Sequence, residues 1–470
     1  MNKALLYISL LLFSPARLNA QDTDTLPKAA ILNDPILIME YSPVEQNFPA
    51  MMLLSPYMTN TVIGAGVDHR HESKALIKEE GSGDTGGIFD AESFIRLGKK
   101  SSARGSVQYR RALKRDVYMN ETTDYLLLRP YVLIDTLSGN LQHESYQFSG
   151  GWSHLDNGLL IDFGGEYRAA HEYRNVDPRP RNISSDLKAS ASIGAVGDRI
   201  TILGSIGYRR YRQSQDVAFM SQSGANTALF HATGLGHDYY RFRSTGVFAA
   251  TRYSGDGFNA GLLIKDFRSN LCAGIRYDYL STTRFLANQN DAPLTMLRTG
   301  TADAFMTYRP TESFALKMDV VYESRQGFEN VIDCAASGIY RNLLSLEMYS
   351  SQRIWATMSS VFRYGNFHFA PEVTYYRALE SYAYPAAQSK MSVAFADMDM
   401  GYTYCRGGWF FAPSLKGGLG SGYSLCEFRG YIQKSVGENL ALFGKSRIGL
   451  LCYGGGEHAC ALTFTIGITY

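Results

Sequence analysis

The last residues of the chain alternate strictly between two kinds of side chain. Leu462, Phe464, Ile466, Ile468 and Tyr470 occupy the even positions, and small or polar residues occupy the odd positions between them. Because successive side chains of a β-strand point to opposite faces, this pattern predicts a strand with one apolar and one polar face. A transmembrane β-barrel closes with such a strand, which faces lipid on one side and the lumen on the other.

The same alternation recurs along most of the chain and predicts further strands. Clear segments are residues 146–152, 159–167, 200–208, 314–322 and 367–375. The mean hydropathy of −0.17 does not exclude a membrane protein, because half of each barrel strand faces water. The 32 tyrosines and 45 glycines suit interfacial girdles and close packing. We predict an all-β fold, a transmembrane antiparallel β-barrel of about 16 strands, within roughly 14 to 18.

Short and long connections alternate along the sequence, as they do in outer-membrane barrels. Tight-turn signals are Asp156-Asn157-Gly158, Gly197-Asp198, Gly255-Asp256-Gly257, Gly365-Asn366 and Gly437-Glu438-Asn439. Longer polar segments lie between them, at residues 174–186, 213–239 and 285–298. The arrangement predicts short periplasmic turns and long extracellular loops.

The first twenty residues have the pattern of a secretory signal peptide. Lys3 precedes an apolar run from Ala4 to Phe13, and Leu18-Asn19-Ala20 suits cleavage near Ala20. We expect residues 1–20 to be the signal, residues 21–57 an N-terminal segment, and residues 58–470 the barrel, integral to the bacterial outer membrane. The N-terminal segment is too apolar for a free tail, which predicts either a small hatch in the lumen or a first strand.

Charged residues of both signs fall on the polar faces of the predicted strands. By strand parity, the residues expected to line the lumen are Arg110, Arg168, Arg209, Arg252, Arg276, Lys445, Arg447, Asp162, Glu166, Asp278, Asp319, Glu323 and Glu372. A barrel of this size is wide enough for a water-filled channel in which such groups stay solvated. They are equally suited to pairing across neighbouring strands and holding the wall. Neither sign is in large excess, so strong ion selectivity is not expected.

Few residues suggest a covalent link, a metal or a cofactor. Cys452 and Cys460 flank a glycine-rich hairpin centred near Gly456, which makes them the best candidates for a disulfide. His69 and His71 share one strand face, but no third metal ligand is identifiable. Residues 81–87 are glycine-rich yet lack the lysine of a phosphate-binding loop, so no cofactor is expected.

Three stretches resemble a family of uncharacterised outer-membrane β-barrel proteins from Bacteroidota. They are residues 91–97 with 105–109, residues 129–131 with 135–136 and 144–146, and residues 173–182. The most distinctive is Asp177-Pro178-Arg179-Pro180-Arg181-Asn182. The resemblance implies an outer-membrane barrel and supplies no reaction. By their own chemistry, the two prolines stiffen this segment. It suits either a prong that presents Asp177, Arg179 and Arg181 to a ligand or partner, or a rigid brace that folds its loop over the barrel mouth.

Three functions fit these observations. The first is a channel or passive transporter for small polar or amphipathic solutes. The second is a non-conducting accessory barrel that acts through extracellular loops within a complex of other outer-membrane proteins, and the third is a hydrolase at the barrel rim. An enzyme is the weaker expectation, because no nucleophile has an identifiable base. The expected partners are outer-membrane lipid and the barrel-assembly machinery, which would recognise Phe464, Ile466, Ile468 and Tyr470. The formal charge of +2 gives no reason to expect nucleic acid.

Overall fold

The computed structural model describes residues 33–55, 59–220, 229–243, 248–333, 342–437 and 440–470. The predicted signal peptide and part of the predicted turn at residues 437–439 lie outside these ranges. In chain order the strands are β1 (Asn60–Glu72), β2 (Gly83–Arg96), β3 (Ser101–Val117), β4 (Leu133–Ile134), β5 (Gly139–Asp156), β6 (Leu159–Tyr173), β7 (Arg179–Val196), β8 (Ile200–Ala218), β9 (Phe230–Gly234), β10 (His237–Asp238), β11 (Thr251–Asp266), β12 (Leu271–Leu286), β13 (Ala292–Thr311), β14 (Phe314–Ile332), β15 (Asn342–Tyr364), β16 (Phe367–Tyr382), β17 (Ala387–Tyr402), β18 (Tyr404–Arg406), β19 (Trp409–Phe411), β20 (Ser414–Gly420), β21 (Tyr423–Ser435), β22 (Ala441–Tyr453) and β23 (Glu457–Thr469).

In the described ranges, four short helical elements accompany the strands. They are helix α1 (Pro35–Asn47), a 3₁₀ turn at Pro49–Leu53, helix α2 (Tyr125–Leu128) and a second 3₁₀ turn at Tyr240–Phe242. None of the helices among the described residues is long and apolar enough to cross a lipid bilayer.

Eighteen antiparallel strands close into a single barrel, which confirms the prediction of an all-β antiparallel barrel. The barrel closes where β1 pairs with β23, from Val62 opposite Thr469 to Glu72 opposite Ala459. Strands β4, β9 and β10 form a separate small sheet, and the β18–β19 hairpin extends the wall beside β21. The expected number of about 16 strands is therefore too low. Strands such as β17 and β20 lack clean alternation, because β17 turns Val393 and Phe395 inward and β20 is short and rich in glycine.

Two belts of outward-facing aromatic residues encircle the wall. Register places Tyr109 beside Tyr146, and Phe258 between Tyr208 and Tyr279, in one belt. Nearer the opposite end, the second belt includes Phe314 beside Phe362, Phe362 beside Phe369, and Phe367 beside Tyr402. Exposed aliphatic residues such as Ile206, Leu262 and Ile275 lie between the belts. An apolar band flanked by aromatic residues is typical of the outer surface of membrane-spanning barrels.

The two ends of the barrel differ in their connections. At the end where β23 finishes, the connections include residues 97–100, 157–158, 197–199 and 365–366; we call this the turn end. The opposite end, the loop end, carries the long connections at residues 118–138 and 219–250 beside several short ones. Three local predictions are wrong. Gly255-Asp256-Gly257 lies within β11 and is not a turn. Strand β7 already begins at Arg179, so residues 174–186 are not a long loop. Residues 285–298 lie mostly in β12 and β13, and only residues 287–291 connect the two strands.

Candidate lumen site

The predicted N-terminal segment is described in part, and its helical residues 35–53 lie inside the turn end of the barrel. From here on, the N-terminal segment means residues 35–53. Helix α1 begins at Pro35, whose fixed φ suits the first helical position, and the Asp34 carboxylate accepts a hydrogen bond from the Ile36 amide at 2.9 Å. The helix packs against β13, β14 and β15, and the 3₁₀ turn packs against β5 and β6. Residues 35–53 are therefore not a first strand of the barrel.

Phe48 fixes the segment to the wall. Its side chain is completely buried in a cluster with Val44, Leu203, Leu263 and Cys272. The ring lies against two inward-facing glycines, Gly261 of β11 and Gly274 of β12, where an added Cβ would come within 2.9 and 3.0 Å of ring carbons. The wall thus has glycine where the aromatic ring needs a close approach.

Buried charges hold the same segment. The Glu40 carboxylate lies 3.1 Å from Lys265 Nζ and 2.6 Å from Arg309 Nε, and its side chain is only 3% exposed. At the two ends of α1, Asp34 pairs with Arg363 and the Asn47 amide donates to Asp303 at 3.2 Å. Breaking a buried ion pair by removing one partner costs about 3–5 kcal/mol, so these contacts position the segment strongly.

The loop end is filled by the mouth loops, which we define as residues 118–138 and the described part of residues 219–250. Strand β4 of the first loop pairs with β9 of the second, with Leu133 opposite His231. Tyr131 packs against Gly327 of β14, in a cluster with Leu297, Tyr349 and Tyr382 of the wall. Both loops therefore fold into the mouth of the barrel.

Arg174 clamps the first mouth loop. Its guanidinium donates to Glu121 at 2.6 Å, to Asp135 at 3.1 Å and to the Pro178 carbonyl at 2.7 Å, and all three charged side chains are at most 3% exposed. Burial and the neighbouring Asp135 raise the pKa of Glu121 well above its ordinary value, against the attraction of Arg174. Burial likewise raises the pKa of Asp135. One cation between two buried carboxyl groups favours retention of a proton on the pair.

A second ionic contact joins the loop to the wall below it. Both carboxylate oxygens of Asp124 accept from Arg168 of β6, at 2.9 and 2.6 Å, and Tyr211 donates to one of them at 2.9 Å. Burial opposes ionisation of Asp124, but Arg168 outweighs it, so the pKa of Asp124 lies below its ordinary value. The start of helix α2 is therefore fixed to the inner wall as a charged group.

Between the N-terminal segment and the mouth loops, the inner wall carries charges of both signs. The structure places twelve of the thirteen proposed lumen-lining residues on this inward face, opposite the aliphatic band. Eleven of them lie in ion pairs at 2.5–3.6 Å: Arg110 with Asp68 and Asp84, Asp162 with Arg104, Glu166 with Lys188, Arg168 with Asp124, Arg209 with Asp186, Arg276 with Asp278, Asp319 with Lys317, Glu323 with Arg325 and Arg353, Glu372 with Lys416, and Arg447 with Glu427. Lys445 lies over the Phe443 ring.

Arg252 is the exception, and its predicted lumen position is wrong. In β11 the buried positions are Thr251, Tyr253, Gly255 and Gly257, so Arg252 lies on the outward face, where it pairs with Asp291. The misread turn at residues 255–257 explains the error. A turn at residues 255–257 would break the alternation of inward and outward side chains. Because β11 is in fact continuous, Arg252 points to the same side as Phe258, which is outward.

The predicted loop residues lie at the start of β7. Arg179 pairs with Asp177 at 2.6 Å, and the other oxygen of Asp177 accepts from the Met220 amide at 2.7 Å. Arg181 is exposed in register between Tyr173 and Asp216. These contacts tie the segment to neighbouring backbone, close to the Arg174 clamp. Whether it acts as a brace or as a prong stays a prediction.

The predicted disulfide is wrong. Tyr453 pairs with Glu457, which places Cys452 opposite His458 and Cys460 opposite Leu450, and both thiols are free. The three-residue turn is centred on Gly455 rather than Gly456, so the two cysteines are offset along the hairpin. His69 and His71 lie on the outward face of β1, and His69 Nδ1 contacts Thr85 Oγ1 at 2.8 Å. Among the described residues, no group of three His, Cys, Asp or Glu side chains is placed to hold a metal ion.

The residues of the proposed assembly signal face outward on β23. Phe464, Ile466, Ile468 and Tyr470 are all exposed, and the Tyr470 backbone exchanges two hydrogen bonds of 2.8 Å with Thr61. The last residue thus takes part in closing the barrel.

Sequence reasoning missed the ionic contacts that hold the lumen contents. Glu40, Lys265 and Arg309 come from three separate parts of the chain, and Arg174 lies 53 residues beyond Glu121 and 39 residues beyond Asp135 of the first mouth loop. No local spacing brings such residues together. The only available signal was the apolar character of the N-terminal segment.

Comparison with known proteins gives a family and distant structural likenesses. The ferric preacinetobactin receptor of Acinetobacter baumannii matches with a TM-score of 0.45 and 7% identity, over 88% of this chain and 80% of the receptor. A ferric enterobactin receptor mutant of Pseudomonas aeruginosa matches with a TM-score of 0.41 and 10% identity, over 87% and 80%. The alcaligin outer-membrane receptor of Bordetella pertussis matches with a TM-score of 0.38 and 10% identity, over 86% and 75%. No protein of curated function shows significant sequence similarity to the chain. A family model matches residues 49–437, and the chain therefore belongs to DUF6850, a family of unknown function.

Proposed function

We propose that the protein is a gated outer-membrane transporter for small polar or amphipathic solutes. The closed wall and the two aromatic belts support insertion in a membrane, with β23 and Tyr470 as the elements that the assembly machinery recognises. The turn end would face the periplasm and the loop end the outside. An integral outer-membrane position, contact with lipid and this orientation belong to the proposal.

The observation that carries the proposal is the way in which the lumen is occupied. The N-terminal segment and the mouth loops enter from opposite ends, and neither contributes a strand to the wall. Each is docked through an aromatic ring on inward glycines, Phe48 on Gly261 and Gly274, and Tyr131 on Gly327. Segments that pack in the lumen without building the wall can move while the barrel stays intact. We infer that they are gates, and that residues 35–53 act as a hatch.

The wall between the gates suits polar solutes. Asp278, Lys188 and Glu372 face inward with side chains 45%, 37% and 32% exposed, so this part of the lumen accommodates water. Acidic and basic groups alternate and pair with each other around it. Such a lining offers hydrogen bonds to neutral polar or zwitterionic solutes and favours neither sign of charge strongly.

The test is solute flux through four forms of the full chain in vesicles. The forms are the wild type, a deletion of residues 35–53, a replacement of residues 123–136 by a short Gly-Ser linker, and the combination of both. We expect little flux of a neutral sugar through the wild type and each single variant, and rapid flux through the double variant. Heat-modifiable migration on a gel would verify that each barrel has folded.

Two results would contradict the proposal. A folded double variant that passes no sugar would show that the lumen is not a pathway. Rapid flux through the wild type would show that the two segments do not close it.

A further inference from the structure

Arg284 is the largest side chain that is fully buried in the described structure, and it has no acidic partner among the described residues. It lies on the inward face of β12 at the level of the mouth loops, with 1% of its surface exposed. Its Nη1 donates to the Val132 carbonyl of the first mouth loop at 3.2 Å, while Nε and Nη2 have no hydrogen-bond partner among the residues that the structure describes. The other inward arginines at this height, Arg325 and Arg353, both pair with Glu323.

The groups in register with Arg284 itself add donors and apolar surface. Its register partners are Tyr253 on β11 and Thr295 on β13, and the Tyr253 ring centroid is 5.5 Å from the guanidinium carbon. The Thr295 hydroxyl is buried and has no hydrogen-bond partner within the described part of the chain. A buried carboxylate, Glu329, lies one strand further along, opposite Thr295, and accepts from the Tyr382 hydroxyl at 2.9 and 3.0 Å. Tyr253 already donates its hydroxyl to the Tyr131 carbonyl at 3.1 Å. An isolated buried cation is very costly unless a counter-charge neutralises it.

We infer that Arg284 and Thr295 form a site for a small monovalent anion of the size of chloride. Two guanidinium N–H groups and one hydroxyl supply the donors, and the positive charge supplies the selectivity for an anion over water. The site is covered by the mouth loops, so a bulky organic anion has no room while they are docked. His231 of the second mouth loop covers the site from the other side. It is completely buried and lies opposite Leu133, the residue that follows Val132.

The anion would strengthen the closed mouth. Arg284 contacts Val132, and the Val132 carbonyl also accepts from the Ala232 amide of the second loop at 2.9 Å. Neutralising Arg284 therefore stabilises the point where both loops meet the wall. Binding to the docked state alone slows loop opening in proportion to 1 + [anion]/Kd, which is about 11-fold at ten times Kd.

The first experiment is crystallographic and uses the wild-type chain. Crystals grown in sodium bromide should show an anomalous peak in contact with Arg284 Nε, Nη2 and Thr295 Oγ1. Ordered bromide elsewhere with none at Arg284, or a water at this position, would overturn the inference.

The second experiment measures protease cleavage in the first mouth loop. For the full chain in detergent, cleavage should be slower in sodium chloride than in sodium isethionate at equal ionic strength, by about 11-fold when chloride is at ten times its Kd. Arg284→Gln should remove the chloride effect. Arg353→Gln, which alters a buried arginine already paired with Glu323 and Glu380, should keep it.

Thr295→Val covers the case in which Arg284→Gln does not fold, because it keeps the charge and removes one donor. It should weaken the chloride effect. A chloride effect that survives unchanged in Thr295→Val and Arg284→Gln would assign it to another site and refute the inference. Neither experiment depends on solute flux, so its outcome is separate from that of the proposed transport.

Discussion

Replacing Phe48 by alanine should release the N-terminal segment from the wall without unfolding the barrel. Phe48 is 0% exposed, and its ring fills the space over Gly261 and Gly274. Truncating a fully buried phenylalanine costs about 3–5 kcal/mol. Because Phe48 belongs to the segment and forms no part of the strand ladder, nearly all of that loss should fall on docking. At about 1.4 kcal/mol per factor of ten, the undocked fraction should rise roughly 140-fold to 3,700-fold.

Cys272 provides a reporter for this displacement. Its thiol is 1% exposed and lies in the same cluster as Phe48 and Val44, whereas Cys405, Cys426 and Cys452 are exposed. In a background where the other five cysteines are serine, the alkylation rate of Cys272 measures how often the segment leaves. We expect Phe48→Ala to accelerate alkylation by the factor above, as followed by intact-mass spectrometry.

The matched control is Phe163→Ala, which removes a phenylalanine of the outward face that is 56% exposed. It should leave the Cys272 rate unchanged. Equal alkylation of Cys272 in wild type and Phe48→Ala, with the barrel folded in both, would show that Phe48 does not hold the segment in place.

Three further outcomes are expected from the mouth loop and the closing strand. Arg174→Met should leave Glu121 and Asp135 facing each other without a cation and weaken loop docking by about 3–5 kcal/mol. Protease cleavage within residues 118–138 should then be faster. The heat-modifiable migration of the barrel should stay unchanged, because the wall keeps all its strands. The pKa of Glu121 is raised in the docked state, so docking takes up a proton and weakens as the pH rises from about 4.3 through the raised pKa. Glu121→Gln should remove this pH dependence. The measurement is the rate of protease cleavage against pH, compared between the wild type and the variant. Deleting Tyr470 removes two backbone hydrogen bonds to Thr61 and the terminal aromatic, and should lower the yield of barrel inserted into vesicles; an undiminished yield would contradict its role in assembly.

The wall of the barrel could be predicted from the sequence because a strand repeats every two residues. The alternation from Leu462 to Tyr470 predicts the outward face of β23, and the structure places those residues there. The same parity holds in β12, where Arg276 and Asp278 face inward and Ile275 and Tyr277 face outward. Parity is a local property and needs no knowledge of the rest of the fold.

The sequence-based predictions failed where they depended on the exact residue at which a strand turns. Cys452 and Cys460 share the outward face as expected, but the hairpin turns at Gly455 and offsets them. Glycines and an aspartate at residues 255–257 have the composition of a turn, yet they lie in β11, where Gly257 faces the interior. Composition alone cannot separate a glycine that permits a turn from one that permits close approach in a strand.

The contents of the lumen could not be predicted, because they depend on contacts between distant parts of the chain. Glu40 meets Lys265 and Arg309, and Arg174 meets Glu121 and Asp135, only after the barrel has closed. The charges themselves were visible in the sequence. Their partners were not, since any inward charge of opposite sign at the right height would satisfy the pattern.

The inward glycines link the wall to its contents. Gly261 and Gly274 lie under Phe48, and Gly327 lies under Tyr131. A larger side chain at these positions would occupy the volume that the ring needs. Glycine destabilises the strand itself, because it has no side chain to pack and loses more backbone entropy on folding. A water-filled pore would have no use for that cost at these three positions. The glycines under Phe48 and Tyr131 therefore mark where this barrel holds its own N-terminal segment and first mouth loop. At these contacts the wall and the two docked segments are matched in shape, so a side chain added to the wall should displace the segment that packs on it.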